Sequence, residues 1–294
     1  MAELVYAPAL GAGGLAHGGS SPLPGTKKTF MKIHYIGLSS FLIENQQGFR
    51  ILVDPFNDSI EWTLGPNFPK EFLGKPFGAN LVLMSEPDAD HSYAPGGWLQ
   101  HAPETKPNSN PFPNLDLRGT VVYEYNGDLN IAWHYTMDGL RLAHFADNAH
   151  LLTNEQLNEI GTPDIIFIAP PKTENREANA IVRKNIALLK PKIIFWAHHL
   201  APKNLPREED PKILQKFFVQ YFKDNARTNK GYNGDTAFLN LCYVLENAFI
   251  LNKEYSGMVL SETSIEINDD VLAQTKDNPV SFLFRCMLAD SNVE

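Results

Sequence analysis

"NLVLMSEPDADHSYAPGG", residues 80–97, decides how this chain is read. An apolar run through Leu81–Met84 stops abruptly, and Glu86, Asp88, Asp90 and His91 follow within six residues. A run that short and that apolar predicts a strand buried on both faces. Each of the four polar side chains after it is a competent metal ligand. Alone, the stretch would also suit a solvated turn, because Asp and Pro are common turn residues.

The pattern recurs along the chain. His134 sits in "IAWHYT", Asp147 follows "LRLAHFA", and His198-His199 follow "KIIFW". A lone histidine beside a strand is more often a satisfied core or surface residue than a ligand. Recurrence at four predicted strands favours a site, since α/β scaffolds present their chemistry at strand ends.

The elements around these clusters follow from patterning. "MKIHYIGLSSFLIENQQGFRILVDPF" gives two apolar runs about "NQQG", a hairpin signal ending at Asp54-Pro55. Residues 57–78 read as an irregular connection and 101–118 as a Pro/Asn-rich loop. "GTVVYEYNGDLNIAWHYT" and "GLRLAHFAD" predict three strands, with turns at Asn126-Gly127 and Asp138-Gly139. In "LTNEQLNEIG", Thr153 is placed to cap a short helix and Gly161 to end it. "PDIIFIAPP", "ENREANAIVRKNIALLKP" and "KIIFWAHH" then read strand, helix, strand, an α/β unit. Beyond Pro202, "DPKILQKFFVQYFKDNA" and "TAFLNLCYVLENAFILN" carry apolar residues at helical spacing.

Composition narrows the function classes. The 294 residues are 43% apolar and 20% charged, with a formal charge of -9 and no long basic run, which argues against nucleic acid as the partner. No apolar run is long enough to span a bilayer as a helix. Cys242 and Cys286 are the only cysteines, so neither a disulfide framework nor a zinc-finger spacing can be built, and a reduced cytoplasm is the expected compartment. Residues 1–30 make a poor secretory signal, with Glu3 early and Gly/Pro interruptions, and read as a flexible arm that includes His17.

"IHYIGLSSFLIENQQGFRILVDPF", "GLRLAHFADNAHLLTNEQLNEIGTPDIIFIAPP" and "LLKPKIIFWAHH" together resemble the metallo-β-lactamase superfamily over roughly residues 31–200, within it the small metal-dependent hydrolases that include the ascorbate-6-phosphate lactonases. The resemblance implies an αββα sandwich over residues 31–205. Residues 206–294 are expected as a helical C-terminal extension packed on the same domain. It also implies a ligand set. "EPDADH" stands in the place of the family's H-x-H-x-D-H, with Glu86 and Asp88 where two histidines are usual and Asp90 and His91 matching. His134 falls where the third ligand of the first metal is expected, Asp147 matches the bridging Asp, and His198 the last ligand, with His199 as a register alternative. The chain departs from the family at Leu38, where a His is common, at Ala146, where Gly is usual, and at "APPK" in place of a glycine-rich strand end.

The substitutions have a physical direction. Nitrogen-rich sites suit zinc, whereas carboxylates shift preference toward Mn²⁺, Fe²⁺ or Mg²⁺. Carboxylates packed without a cation repel one another, so one or two divalent ions are expected, Zn, Mn or Fe. The implied activity is hydrolysis of an ester, lactone or phosphodiester in a small, anionic substrate. Asp90 would both ligate the ion and orient the attacking water. His150 and His199 are candidates for orienting a ligand or moving a proton. Lys172, Lys190 and Lys192 are candidates for meeting an anion, although lysines after strands and helices are usually solvated. The rival class is a catalytically silent relative that binds a ligand or partner. The apolar surface of residues 206–294, "VSFLFRCMLAD" included, is accounted for by packing on the core or by a homo-oligomer interface.

Overall fold

Alternation of apolar and polar residues in β1 (Thr29–Gly37) buries Met31, Ile33 and Tyr35 on one face and leaves Lys32 and His34 partly open on the other. This computed structural model describes residues 28–55, 78–88, 90–92, 113–199, 212–213, 216–217, 220 and 234–285. Most of the expected N-terminal arm, the connection at 57–77, residues 101–112, most of the helix expected over 210–226 and Cys286 lie outside these residues.

The hairpin expected about Asn45–Gly48 forms between β2 (Ser40–Asn45) and β3 (Arg50–Val53). Gly48 takes φ +77°, the left-handed region that a tight turn requires, and its N–H donates to Asn45 O at 3.0 Å. The run before "EPDADH" forms β4 (Leu81–Leu83), wholly buried and parallel to β3. A second sheet holds β5 (Arg118–Tyr123), β6 (Leu129–Met137), β7 (Leu140–His144), β8 (Ile165–Ile168) and β9 (Ile193–Trp196). The turns at Asn126-Gly127 and Asp138-Gly139 fall as expected, with positive φ at Gly127, Asp138 and Gly139. Helix α1 (Asn154–Ile160) starts on the Thr153 capping box, and α2 (Asn179–Leu189) joins β8 to its parallel neighbour β9.

The C-terminal region is not only helical. A long helix α3 (Gly234–Glu254) is followed by β10 (Met258–Leu260), β11 (Ser264–Asn268), a short helix α4 (Asp269–Ala273) and β12 (Val280–Phe284). β11 pairs with β1, and β12 inserts between β9 and β10, so this region completes both sheets. The reason is burial: "VSFLF" is covered at every position, as a central strand must be, and so does not form a helical surface. The orders are β11-β1-β2-β3-β4 and β10-β12-β9-β8-β7-β6-β5.

The sheets meet through aromatic rings. Phe41 of the first sheet packs on Phe167, Phe195 and Phe284 of the second, at centroid distances of 4.7, 6.3 and 6.5 Å. The ends of β3, β4, β5, β7, β8 and β9 are thereby held along one edge of this α/β fold.

Candidate metal centre

Asp54, at the end of β3, anchors the site from behind. Its fully buried carboxylate accepts from Ser85 N at 2.8 Å, Ser85 Oγ at 2.9 Å, His91 Nδ1 at 3.0 Å and His144 Nε2 at 2.9 Å. Burial pushes this carboxyl up, but the His91 charge and the His144 hydrogen bond outweigh it and hold it at about 2. His91 is thus fixed on one nitrogen, with its other, Nε2, turned toward Glu86 Oε1 at 2.9 Å and toward Asp90 Oδ2 and Asp147 Oδ2, both at 3.6 Å.

His198 reaches the same point from β9. Its Nε2 lies 3.1 Å from Asp147 Oδ2 and 3.2 Å from Asp90 Oδ2, and its ring stacks on His91 at 5.4 Å. The approach depends on the β1–β2 turn: His198 N donates to Leu38 O at 2.7 Å, and Leu38 N to His199 O at 3.0 Å. Asp54, Ala146 and His198 take φ of +47°, +44° and +58°, left-handed values costly for non-glycine residues. Left-handed backbone thus occurs at or beside three of the strand ends that build the site.

The donors form a continuous chain. Asp90, His91 and His198 offer atoms within 4.8 Å of one another, as do Glu86, His91 and Asp147, and Glu86, Asp88 and Glu124. Electrostatics follow from the crowding. Burial opposes charge at Asp90 and Asp147, yet His91 and His198 hold Asp90 well below the usual range, and His198, Lys172 and His91 do the same for Asp147. The surrounding carboxylates raise His91 well above its ordinary value against the burial penalty. Glu124 is pushed up to about 9, by burial first and then by Glu86. Asp88, which is exposed, is raised by desolvation and then by Glu86 and Asp90. Asp147 Oδ1 is buried with no hydrogen-bond partner among the described residues. An orphaned carboxylate oxygen amid so many donors fits a divalent cation.

Six of the seven expected residues come together: Glu86, Asp88, Asp90, His91, Asp147 and His198. His134 does not. It lies in the interior of β6, where its Nε2 pairs with Thr120 Oγ1 at 3.1 Å, and burial, then Arg141 and Arg118, lower it to about 4. Glu124 stands in the cluster instead, one residue past β5. Its signal in the sequence was an acid at a strand end, masked by the turn residues of "YNGD". His150 holds the main chain there by donating from Nε2 to the Glu124 carbonyl O at 2.8 Å. His199 is structural: its Nε2 donates to Phe284 O at 2.9 Å and its ring stacks on Tyr35 at 4.6 Å. Lys172 contacts Asp147 Oδ2, whereas Lys192 pairs with Asp164 at 2.8 Å and Lys190 ends α2.

Residues 32–198 match the Beta-lactamase superfamily domain. No curated protein matches the chain. Among solved structures, a candidate Zn-dependent hydrolase of the metallo-β-lactamase superfamily from Thermotoga maritima is similar at 19% identity with a TM-score of 0.52, over 86% of this chain and 98% of its own. A metallo hydrolase from the hyperthermophilic archaeon Ignicoccus hospitalis is similar at 18% identity with a TM-score of 0.43, over 68% of this chain and 95% of its own. No helix among the described residues is long and apolar enough to cross a membrane.

Proposed function

Because this chain belongs to the β-lactamase superfamily, with the metallo-β-lactamase fold, we propose that it is a metal-dependent hydrolase of an ester, lactone or phosphodiester bond in a small molecule. The observation that carries the reading is the convergence of Asp90, His91, Asp147 and His198, with Asp54 fixing His91 from behind. These four residues make a mixed oxygen and nitrogen set, and Glu86, Asp88 and Glu124 make an oxygen-only set beside it. Zinc, manganese or iron suits the first, and manganese or magnesium the second. When bound, a divalent ion supplies Lewis acidity and lowers the pKa of water.

The chain's own residues do the rest. Asp54 locks the His91 ring with Nδ1–H inward, which leaves Nε2 to face the reacting centre. Asp90 is partly exposed and held ionised by two histidines, so it can serve both as a ligand and as the group that orients a water. No serine or cysteine nucleophile is needed. A catalytically silent protein is the second reading, favoured by Lys172, whose ammonium already meets Asp147.

Calorimetric titration of Zn²⁺, Mn²⁺ and Mg²⁺ into chelator-treated protein, with hydrolysis assays on a lactone, a carboxylic ester and a phosphodiester, separates the two. At least one ion should bind and activate, and Asp147→Asn should abolish both effects. Absence of ion binding would refute the enzyme reading.

A further inference from the structure

Lys172 follows β8 and is, among the described residues, the one lysine or arginine lining a cavity of about 450 Å³ beside the cluster. Ala169, Pro170, Ile181 and Val182 give this cavity apolar walls, Asn126 and Asn148 add neutral polar groups, and Glu124 and Asp147 of the cluster line it too. The Lys172 ammonium contacts Asp147 Oδ2, the oxygen that His198 Nε2 meets at 3.1 Å and His91 Nε2 at 3.6 Å. It also acts on Glu86, Asp88, Asp90 and Glu124, every other carboxylate of the donor chain. Its side chain is 33% exposed, whereas that of Asp147 is 3% exposed.

An ammonium on Asp147 Oδ2 and a divalent ion on the same carboxylate would lie close enough to repel, so each weakens the other's hold. A lysine is a compact charge on a flexible stem and can leave without backbone movement. We propose that Lys172 is an exchangeable cation: a divalent ion and its ammonium compete for the Asp147 carboxylate, and ion binding turns the ammonium into the cavity, where it recognises an anionic group on the substrate. This rests on the metal-centre reading and deepens it, because it names the substrate class. That class is a small, largely apolar molecule bearing one anionic oxygen group. It also gives an order of events, since the carboxylates beside the cavity repel an anion until an ion neutralises them.

The test uses the full chain as wild type, Lys172→Met and Lys172→Arg. Mn²⁺ and Zn²⁺ are titrated into chelator-treated protein, and inorganic phosphate then into ion-saturated protein. Lys172→Met should bind the ion at least about tenfold tighter than wild type, or about 1.4 kcal/mol. Its ion-saturated form should bind phosphate at least about tenfold more weakly, while Lys172→Arg stays near wild type in both. Lys172→Gln replaces the Met variant if that does not fold. Equal ion affinity in wild type and Lys172→Met overturns the exchange and leaves the metal centre standing. Equal phosphate affinity overturns the anion role. If neither protein binds an ion, and Lys172→Met melts below wild type in chelator, the ammonium is a permanent counter-ion and both readings fall.

Discussion

Asparagine in place of Asp54 tests the support behind the site without touching a proposed ligand. The carboxylate is fully buried and accepts four hydrogen bonds, two of them from His91 and His144. Its shift from 3.8 to about 2 corresponds to roughly 2.5 kcal/mol at about 1.36 kcal/mol per unit. Breaking a buried charged pair by removing one partner costs about 3–5 kcal/mol. Asp54→Asn should therefore destabilise the fold by about 2.5–5 kcal/mol at pH 7, read by urea unfolding with Trp133 and Trp196 as fluorescent reporters. The folded pKa is depressed, so this stabilisation is present above pH 3.8 and is lost as pH falls through about 2. The gap between variant and wild type should narrow across that window. Ion affinity should also fall by about 10–100-fold, because His91 loses its fixed orientation. A gap under about 0.5 kcal/mol at pH 7 would refute the network.

Three further outcomes are expected. His134 has a depressed folded pKa of about 4, so its contribution is full above pH 6.5 and declines by about 3 kcal/mol as pH falls toward 4; His134→Gln should flatten melting temperature over that range and leave ion affinity unchanged. His198→Ala should weaken ion binding by about 100-fold or more, whereas His199→Ala should spare ion binding and cost about 2 kcal/mol in denaturant titration, since it removes the bond to Phe284 and the stack on Tyr35. The triple change Glu86→His, Asp88→His, Glu124→His should raise zinc affinity relative to manganese in competition titrations, and an unchanged ratio would mean that these residues do not face the ion.

The site was most legible where its residues are neighbours in the chain. Glu86, Asp88, Asp90 and His91 follow one buried strand, so ordinary strand logic places them at a single edge. His134 misled because it lies beside a predicted strand end in sequence, whereas it sits inside β6, facing Thr120. Glu124 was hidden because an acid before Asn-Gly looks like any solvated turn, and only packing brings it to Glu86. The Asp54–His144 bond joins residues from different sheets, which no local pattern encodes. The hairpins and α1 were readable from turn glycines and the Thr153 cap. β10, β11 and β12 were not, because short strands that pair across most of the chain carry no periodicity of their own.

That late pairing governs how the protein can be made. Thr29 pairs with Asn268 and Ile193 with Val280, so each sheet waits for partners at the far end of the chain. Closing such long loops is slow, and during synthesis β1 and β9 each present an unpaired strand edge. Those edges are the segments at which a half-made chain would pair with a neighbour and aggregate. A message cut short before the codon for Met258 would yield no smaller folded domain, only a chain with two open templates for misassembly.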